Sequence, residues 1–196
     1  MNFAPAEALS RLLDAFGRLE IHYMVGGSTA SGIYGHVRLT RDVHIVAEIR
    51  MEHVEPLAEG LRDDFYVDEG QIRTAIDAHR AFNVIHLGSS YKFDIFPLTS
   101  DPYQQVQFAR RRLERSTLFG AQSVEFAVAT PEDVILSKLR RYRLGGETSE
   151  QQWNDVLGVI SVQRDRLDLG YLRELARYLK LEDLLDQSLS ERHGPF

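Results

Sequence analysis

The sequence predicts an α/β fold, with a mixed and partly antiparallel sheet flanked by helices and a helical C-terminal part. Three observations carry this. Short apolar or alternating runs at 21–25, 43–47, 64–68, 81–87 and 91–98 have the length and composition of strands. Helical stripes lie between several of them. From Thr130 onward the pattern is helical alone. The expected division is an α/β domain over 1–129 and a helical region over 130–196.

Taken in order, residues 6–19 place Ala8, Leu9, Leu12, Leu13, Phe16 and Leu19 on one stripe, as a packing helix requires. The strand Ile21 to Val25 stops at Gly26-Gly27-Ser28. A short helix-compatible stretch follows, and Thr40-Arg41-Asp42 opens the next strand, Val43 to Ala47. Met51 to Leu61 reads as a helix, 64–68 as a short strand, and 71–79 as a brief helix or a loop. The runs 81–87 and 91–98, separated by Gly88-Ser89-Ser90, suggest an antiparallel hairpin. Asp101 to Arg115 is expected to be helical, with Asp101 as cap and Pro102 in the first turn. Thr117 to Ala129 is expected to form one or two edge strands. Thr130-Pro131-Glu132-Asp133 then opens a helix with a capping residue, a proline and first-turn acids. Helical segments follow at 134–144, 150–162, 171–179 and 182–189, broken at Gly145-Gly146 and Asp168-Leu169-Gly170.

Composition narrows the function classes. The 196 residues suffice for one good core, or a domain with a helical appendage. No apolar run approaches the roughly 20 residues of a membrane helix, so no membrane association is expected. The N-terminus lacks the basic and apolar blocks of a secretory signal. With no cysteine there is neither a disulfide framework nor a thiolate metal site, and a reducing cytoplasm is the expected location. A net charge of −6 argues against a protein that coats nucleic acid broadly. Of the two basic clusters, Arg110-Arg111-Arg112 with Arg115 reads as a solvated face. Lys138-Arg140-Arg141-Arg143 reads equally as a solvated face or as a binding one.

The chemistry centres on residues 21–48. Two glycines allow close approach of a ligand, and the N–H groups that open the helix after them can receive phosphate oxygens. Strand alternation directs Asp42 and His44 to one face and Val43 and Ile45 to the other. The order Gly-Gly-Ser, spacer helix, Thr-Arg-Asp-x-His resembles the signature of the DNA polymerase β-like nucleotidyltransferase superfamily, in which Gly-Ser is followed by Asp-x-Asp or Asp-x-Glu. Within it, the chain most resembles the AbiEii and MenT-type toxins and the minimal nucleotidyltransferases. One position departs: His44 stands where the second carboxylate would be.

The resemblance implies a nucleotidyltransferase-type mixed sheet and transfer of a nucleoside monophosphate from a nucleoside triphosphate to a hydroxyl. The acceptor would be tRNA, a protein or a small molecule. It also implies Mg2+ or Mn2+, which neutralises phosphate charge and aligns the reacting groups. Magnesium takes hard oxygen ligands. The candidate metal ligands are Asp42, His44 and Asp94, the last lying in Tyr91-Lys92-Phe93-Asp94-Ile95-Phe96 as the later-strand carboxylate. The plainer reading of Asp94 is an exposed strand face, or a salt bridge to Arg38 or Arg41. His44 has three readings: a ligand suited to manganese or zinc, a cation filling the space of a metal, or a single substitution that weakens two-metal chemistry. Gly26, Gly27, Ser28 and Arg41 are the candidate nucleotide-binding residues. Lys138 joins them through its resemblance to the AbiEii-like lysine motif, so that Asp42, Asp94 and Lys138 form the candidate catalytic set. Asp155, in Trp153-Asn154-Asp155, partly matches a later acidic motif. Lys138 and Asp155 read equally as an interhelical salt bridge. The alternative to an enzyme is a catalytically degenerate nucleotide-binding protein, or one component of a toxin–antitoxin pair. No nucleophile elbow, Walker loop, dinucleotide fingerprint or paired histidine spacing is present.

Overall fold

Seven strands form one sheet in the order β3-β4-β5-β2-β1-β7-β6. They are β1 (Tyr23–Gly26), β2 (Asp42–Ala47), β3 (Phe65–Tyr66), β4 (Phe82–His86), β5 (Lys92–Pro97), β6 (Arg112–Ser116) and β7 (Val124–Val128). The helices are α1 (Pro5–Arg18), α2 (Gly27–Tyr34), α3 (Val54–Leu61), α4 (Glu69–Ala78), α5 (Pro102–Ala109), α6 (Pro131–Leu144), α7 (Glu150–Gln163), α8 (Leu169–Leu179) and α9 (Glu182–Ser190). This computed structural model describes residues 5–37, 42–121 and 123–191.

The chain divides into two compact units, Met1–Gly26 with Thr40–Val128 and Gly27–Leu39 with Ala129–Phe196. The first holds the sheet. The pairs β2–β5 and β1–β7 are parallel, and the other neighbours are antiparallel, so the sheet is mixed as the sequence predicts. The hairpin of β4 and β5 is present, with Phe82 opposite Ile95 and Val84 opposite Phe93. Alternation puts Val43 and Ile45 of β2 and Phe93 and Ile95 of β5 wholly out of solvent, together with Leu9, Leu12 and Phe16 of α1. That face is the core, which leaves the even-numbered residues of β2 and β5 on the opposite face.

Two expectations fail in this unit. The helix expected over 101–115 ends at Ala109, and Arg112–Ser116 is strand β6. Arg111 accounts for part of the stop. Its guanidinium donates to the Phe108 carbonyl at 2.6 Å, satisfying a last-turn acceptor, and lies 4.2 Å from the Phe108 ring centroid. Pairing of Arg112–Ser116 with Val124–Val128 then overrides local helix propensity. The second failure concerns β7. It was expected at a sheet edge, and it lies between β1 and β6. Its short apolar run, Phe126-Ala127-Val128, is buried as an interior strand requires. The ambiguous segment 71–79 is helical within α4, capped by Asp68, which accepts from the Gln71 N–H at 2.7 Å.

In the second unit, α2 packs with α6 and α7, and α8 and α9 pack with α6 and α7. The entry to α6 is tied down firmly. Thr130 caps it, and the Thr130 hydroxyl donates to Asp133 Oδ2 at 2.7 Å. Tyr171 donates to Asp133 Oδ1 at 2.6 Å, and the Asp168 N–H donates to Glu132 at 2.9 Å. These bonds engage both oxygens of Asp133 and Oε1 of Glu132, two acids that α6 buries in its first turn. They also fix the register of the helix that carries Lys138.

Candidate functional site

The sheet unit gathers one polar cluster. In the parallel β2–β5 pair, Asp42 lies opposite Lys92 and His44 opposite Asp94, so all four side chains share a face. On the other side of β2, Gly26 of β1 pairs with His44. A Cβ at Gly26 would meet nothing within 4 Å, so this bare position answers to no packing demand. The Lys92 ammonium stands 3.4 Å from Asp42 Oδ1 and 3.4 Å from Asp94 Oδ1. His44 Nε2 lies 3.4 Å from the other Asp94 oxygen, and its ring meets Phe96 edge-on at 5.6 Å. Burial pulls the Lys92 ammonium down. The charges of Asp94 and Asp42 more than offset this and leave it above its ordinary value.

The divalent cation implied by the resemblance can be tested against these residues. Asp42 and Asp94 are oxygen donors of the kind magnesium takes, and they stand on neighbouring strands. The cation between them, however, is Lys92. Among the described residues, no three acid, histidine or cysteine side chains are gathered closely enough to hold a metal ion. As they stand, the residues do not fit a divalent cation.

A second cluster belongs to the helical unit. Gly27 opens α2 with φ of +61°, a left-handed conformation in which a side chain is strained. Ser28 follows in the first turn of α2, where backbone N–H groups have no partner within the helix. Lys138, on α6, has only 3% of its surface exposed. Its ammonium donates to Asp155 Oδ2 of α7 at 2.5 Å and to Ser28 Oγ at 3.4 Å. The interhelical salt bridge foreseen for Lys138 and Asp155 therefore exists, and the same ammonium also reaches the serine after the glycine pair. A buried lysine held by one carboxylate and aimed at a glycine-serine helix start is a suitable partner for phosphate oxygens.

Lys92 is a site residue that the sequence reading missed. Its signal was available: it precedes Asp94 by two in a strand, which puts both on one face. Arg41 and Arg38 lie outside the described residues. A separate cavity of about 960 Å³ in the sheet unit is lined by residues including Tyr23, Glu48, Arg50 and Arg111, and by none of the candidate residues. No described helix is long and apolar enough to cross a membrane.

The mixed seven-stranded sheet flanked by helices has the nucleotidyltransferase fold. Solved structures agree. An antigenic nucleotidyltransferase-like protein from Paracoccidioides brasiliensis matches with a TM-score of 0.55 at 16% identity, over 97% of this chain and 94% of its own. The antibiotic-resistance factor ANT(2'')-Ia, in its solution structure, matches with a TM-score of 0.53 at 12% identity, over 95% of this chain and 100% of its own. Its crystal structure in complex with adenylyl-2''-tobramycin gives a TM-score of 0.53 at 11% identity, over 89% of this chain and 96% of its own. No family model matches the chain, and no curated protein matches it in sequence.

Proposed function

We propose that this chain is a nucleotidyltransferase-type protein. It binds a nucleoside triphosphate and passes the nucleoside monophosphate to a hydroxyl with release of pyrophosphate, the new phosphoester replacing the α–β phosphoanhydride, slowly in its native form. The observation that carries the reading is the buried Lys138 ammonium, 3.4 Å from Ser28 Oγ directly after the left-handed Gly27. In this reading Ser28 and the N–H groups opening α2 bind phosphate oxygens. Lys138 neutralises phosphate charge, and Asp155 keeps Lys138 aimed. Asp42 and Asp94, with Lys92 and His44 drawn against them, do not fit Mg2+ or Mn2+ in the native chain. Binding is therefore the property expected to persist and transfer the one expected to suffer. The neighbour crystallised with adenylyl-2''-tobramycin supports a small-molecule hydroxyl as first choice of acceptor. A tRNA end or a protein side chain comes next.

Label transfer from α-phosphate-labelled nucleotides, with Mg2+ or Mn2+, tests this on the native chain and on His44→Asp. An aminoglycoside, tRNA and a protein extract serve as acceptors. We expect a nucleotide-dependent rise in melting temperature for both chains, diminished by Ser28→Ala. Transfer should be faint in the native chain and stronger in His44→Asp. If no nucleoside triphosphate moves the melting temperature of either chain, the reading is wrong. A protein-binding role, as in a toxin–antitoxin pair, would then be the one to pursue.

A further inference from the structure

We propose that Asp42 and Asp94 are served by the protein's own cation, Lys92, which holds the position between them that a divalent metal ion would take. The geometry is symmetric: the ammonium is 3.4 Å from one oxygen of each acid. Register brings the three residues together. Lys92 stands directly opposite Asp42 in the parallel pair and two residues before Asp94 on the same strand, so all three side chains rise from one face.

An ammonium tethered to the strand competes with free metal at a high effective concentration, and it does so in every molecule. It also donates in three directions, enough to satisfy both carboxylates at once. A metal ion arriving here must displace Lys92, which would be left without its two carboxylate partners. His44 adds a second obstacle, on the other oxygen of Asp94. His44 stands 3.4 Å from one oxygen of Asp94, whereas Lys92 stands 3.4 Å from an oxygen of each acid. Lys92 is thus the main reason that this acid pair departs from metal chemistry. Replacing His44 alone leaves that obstacle in place.

The test uses Mn2+ alone, without nucleotide, so that its failure is distinguishable from failure of the nucleotide reading. Free Mn2+ is followed by its electron paramagnetic resonance signal while the full chain is titrated in. The native protein is compared with Lys92→Met, Lys92→Gln, His44→Asp and the pair Lys92→Met/Asp94→Asn. We expect Mn2+ to bind about tenfold more tightly to either Lys92 variant than to the native chain. The gain should vanish when Asp94→Asn is added. Both single Lys92 variants should melt lower than the native chain without metal and recover on addition of Mn2+. Native protein that binds Mn2+ as tightly as the Lys92 variants would overturn the proposal. So would a His44→Asp chain that matches them with Lys92 in place. Lys92→Gln serves as the reference if Lys92→Met fails to fold, so the native and His44→Asp arms keep a variant to be compared with.

Discussion

Lys138 shows how one residue can hold a structural and a functional role at once. Its ammonium is buried and paired with Asp155 at 2.5 Å. Removing one member of such a pair strands a charge in a low-dielectric setting, typically at a cost of about 3–5 kcal/mol. Replacing both members with apolar residues removes that penalty. Lys138→Met alone should therefore lower the melting temperature substantially, and Lys138→Met/Asp155→Leu should recover most of the loss. Nucleoside triphosphate should fail to stabilise the double variant, although its fold is restored. Thermal melts with and without nucleotide check this. Full nucleotide stabilisation of the double variant would reduce Lys138 to a structural pair. The sequence made Lys138 and Asp155 visible as a pair, because each sits in a stretch that resembles a family motif and the two fall on neighbouring helical segments. It left Lys92 unmarked, since a lysine in a strand usually reads as a solvent-facing residue. Only the parallel register of β2 and β5, a long-range fact, brings Lys92 to Asp42.

At the scale of elements, the closest approach in the helical unit runs through glycines. A Cβ on Gly35 would lie 2.7 Å from Val159 N, 2.8 Å from Gly158 C and 3.0 Å from Ser31 O, all backbone atoms. A Cβ on Gly158 would instead meet the His36 ring, a side chain, at 2.8 Å, and His36 N, a backbone atom, only at 3.4 Å. Gly35→Ala should therefore destabilise by about 1–3 kcal/mol, as overpacking does. At this chain length that corresponds to a fall of roughly 2–4 °C in melting temperature per kcal/mol. Gly158→Ala should cost less. Equal losses in the two variants would mean that α2 and α7 can separate and that the approach is not rigid. The start of α6 was legible because a cap is local chemistry, Thr130 with Pro131, whereas α8 begins at Leu169 rather than Tyr171, capped by Asp168, whose side chain accepts from the Tyr171 N–H at 2.9 Å. The end of α5 was not legible. The three arginines suit a helix as well as a strand, and β7, distant in sequence until the chain folds, decides for the strand.

For the whole molecule, the division into two compact units cuts between Gly26 and Gly27, inside the Gly-Gly-Ser motif. The acids of β2 and β5 belong to the sheet unit, whereas Ser28, Lys138 and Asp155 all belong to the helical one. The sequence alone suggested a division near residue 129, because α2 looks like a spacer within the α/β pattern. Its packing with α6 and α7 groups it with the later helices. This has a measurable consequence for ligand binding. A ligand that binds only the native state stabilises it by about 2.7 kcal/mol at a hundredfold excess over its dissociation constant. Local openings that expose the ligating groups are suppressed most. Under the proposed function, adding a nucleoside triphosphate without divalent metal should slow amide hydrogen exchange chiefly in α2, α6 and α7. The strands β3, β4 and β6 should change little. Adding Mn2+ alone to Lys92→Met should slow exchange in β2 and β5 instead. If the triphosphate protected β2 and β5 of the native chain while leaving α2 and α6 unchanged, the phosphates would be engaging the acid-bearing face, and the role assigned to Lys138 would have to be withdrawn.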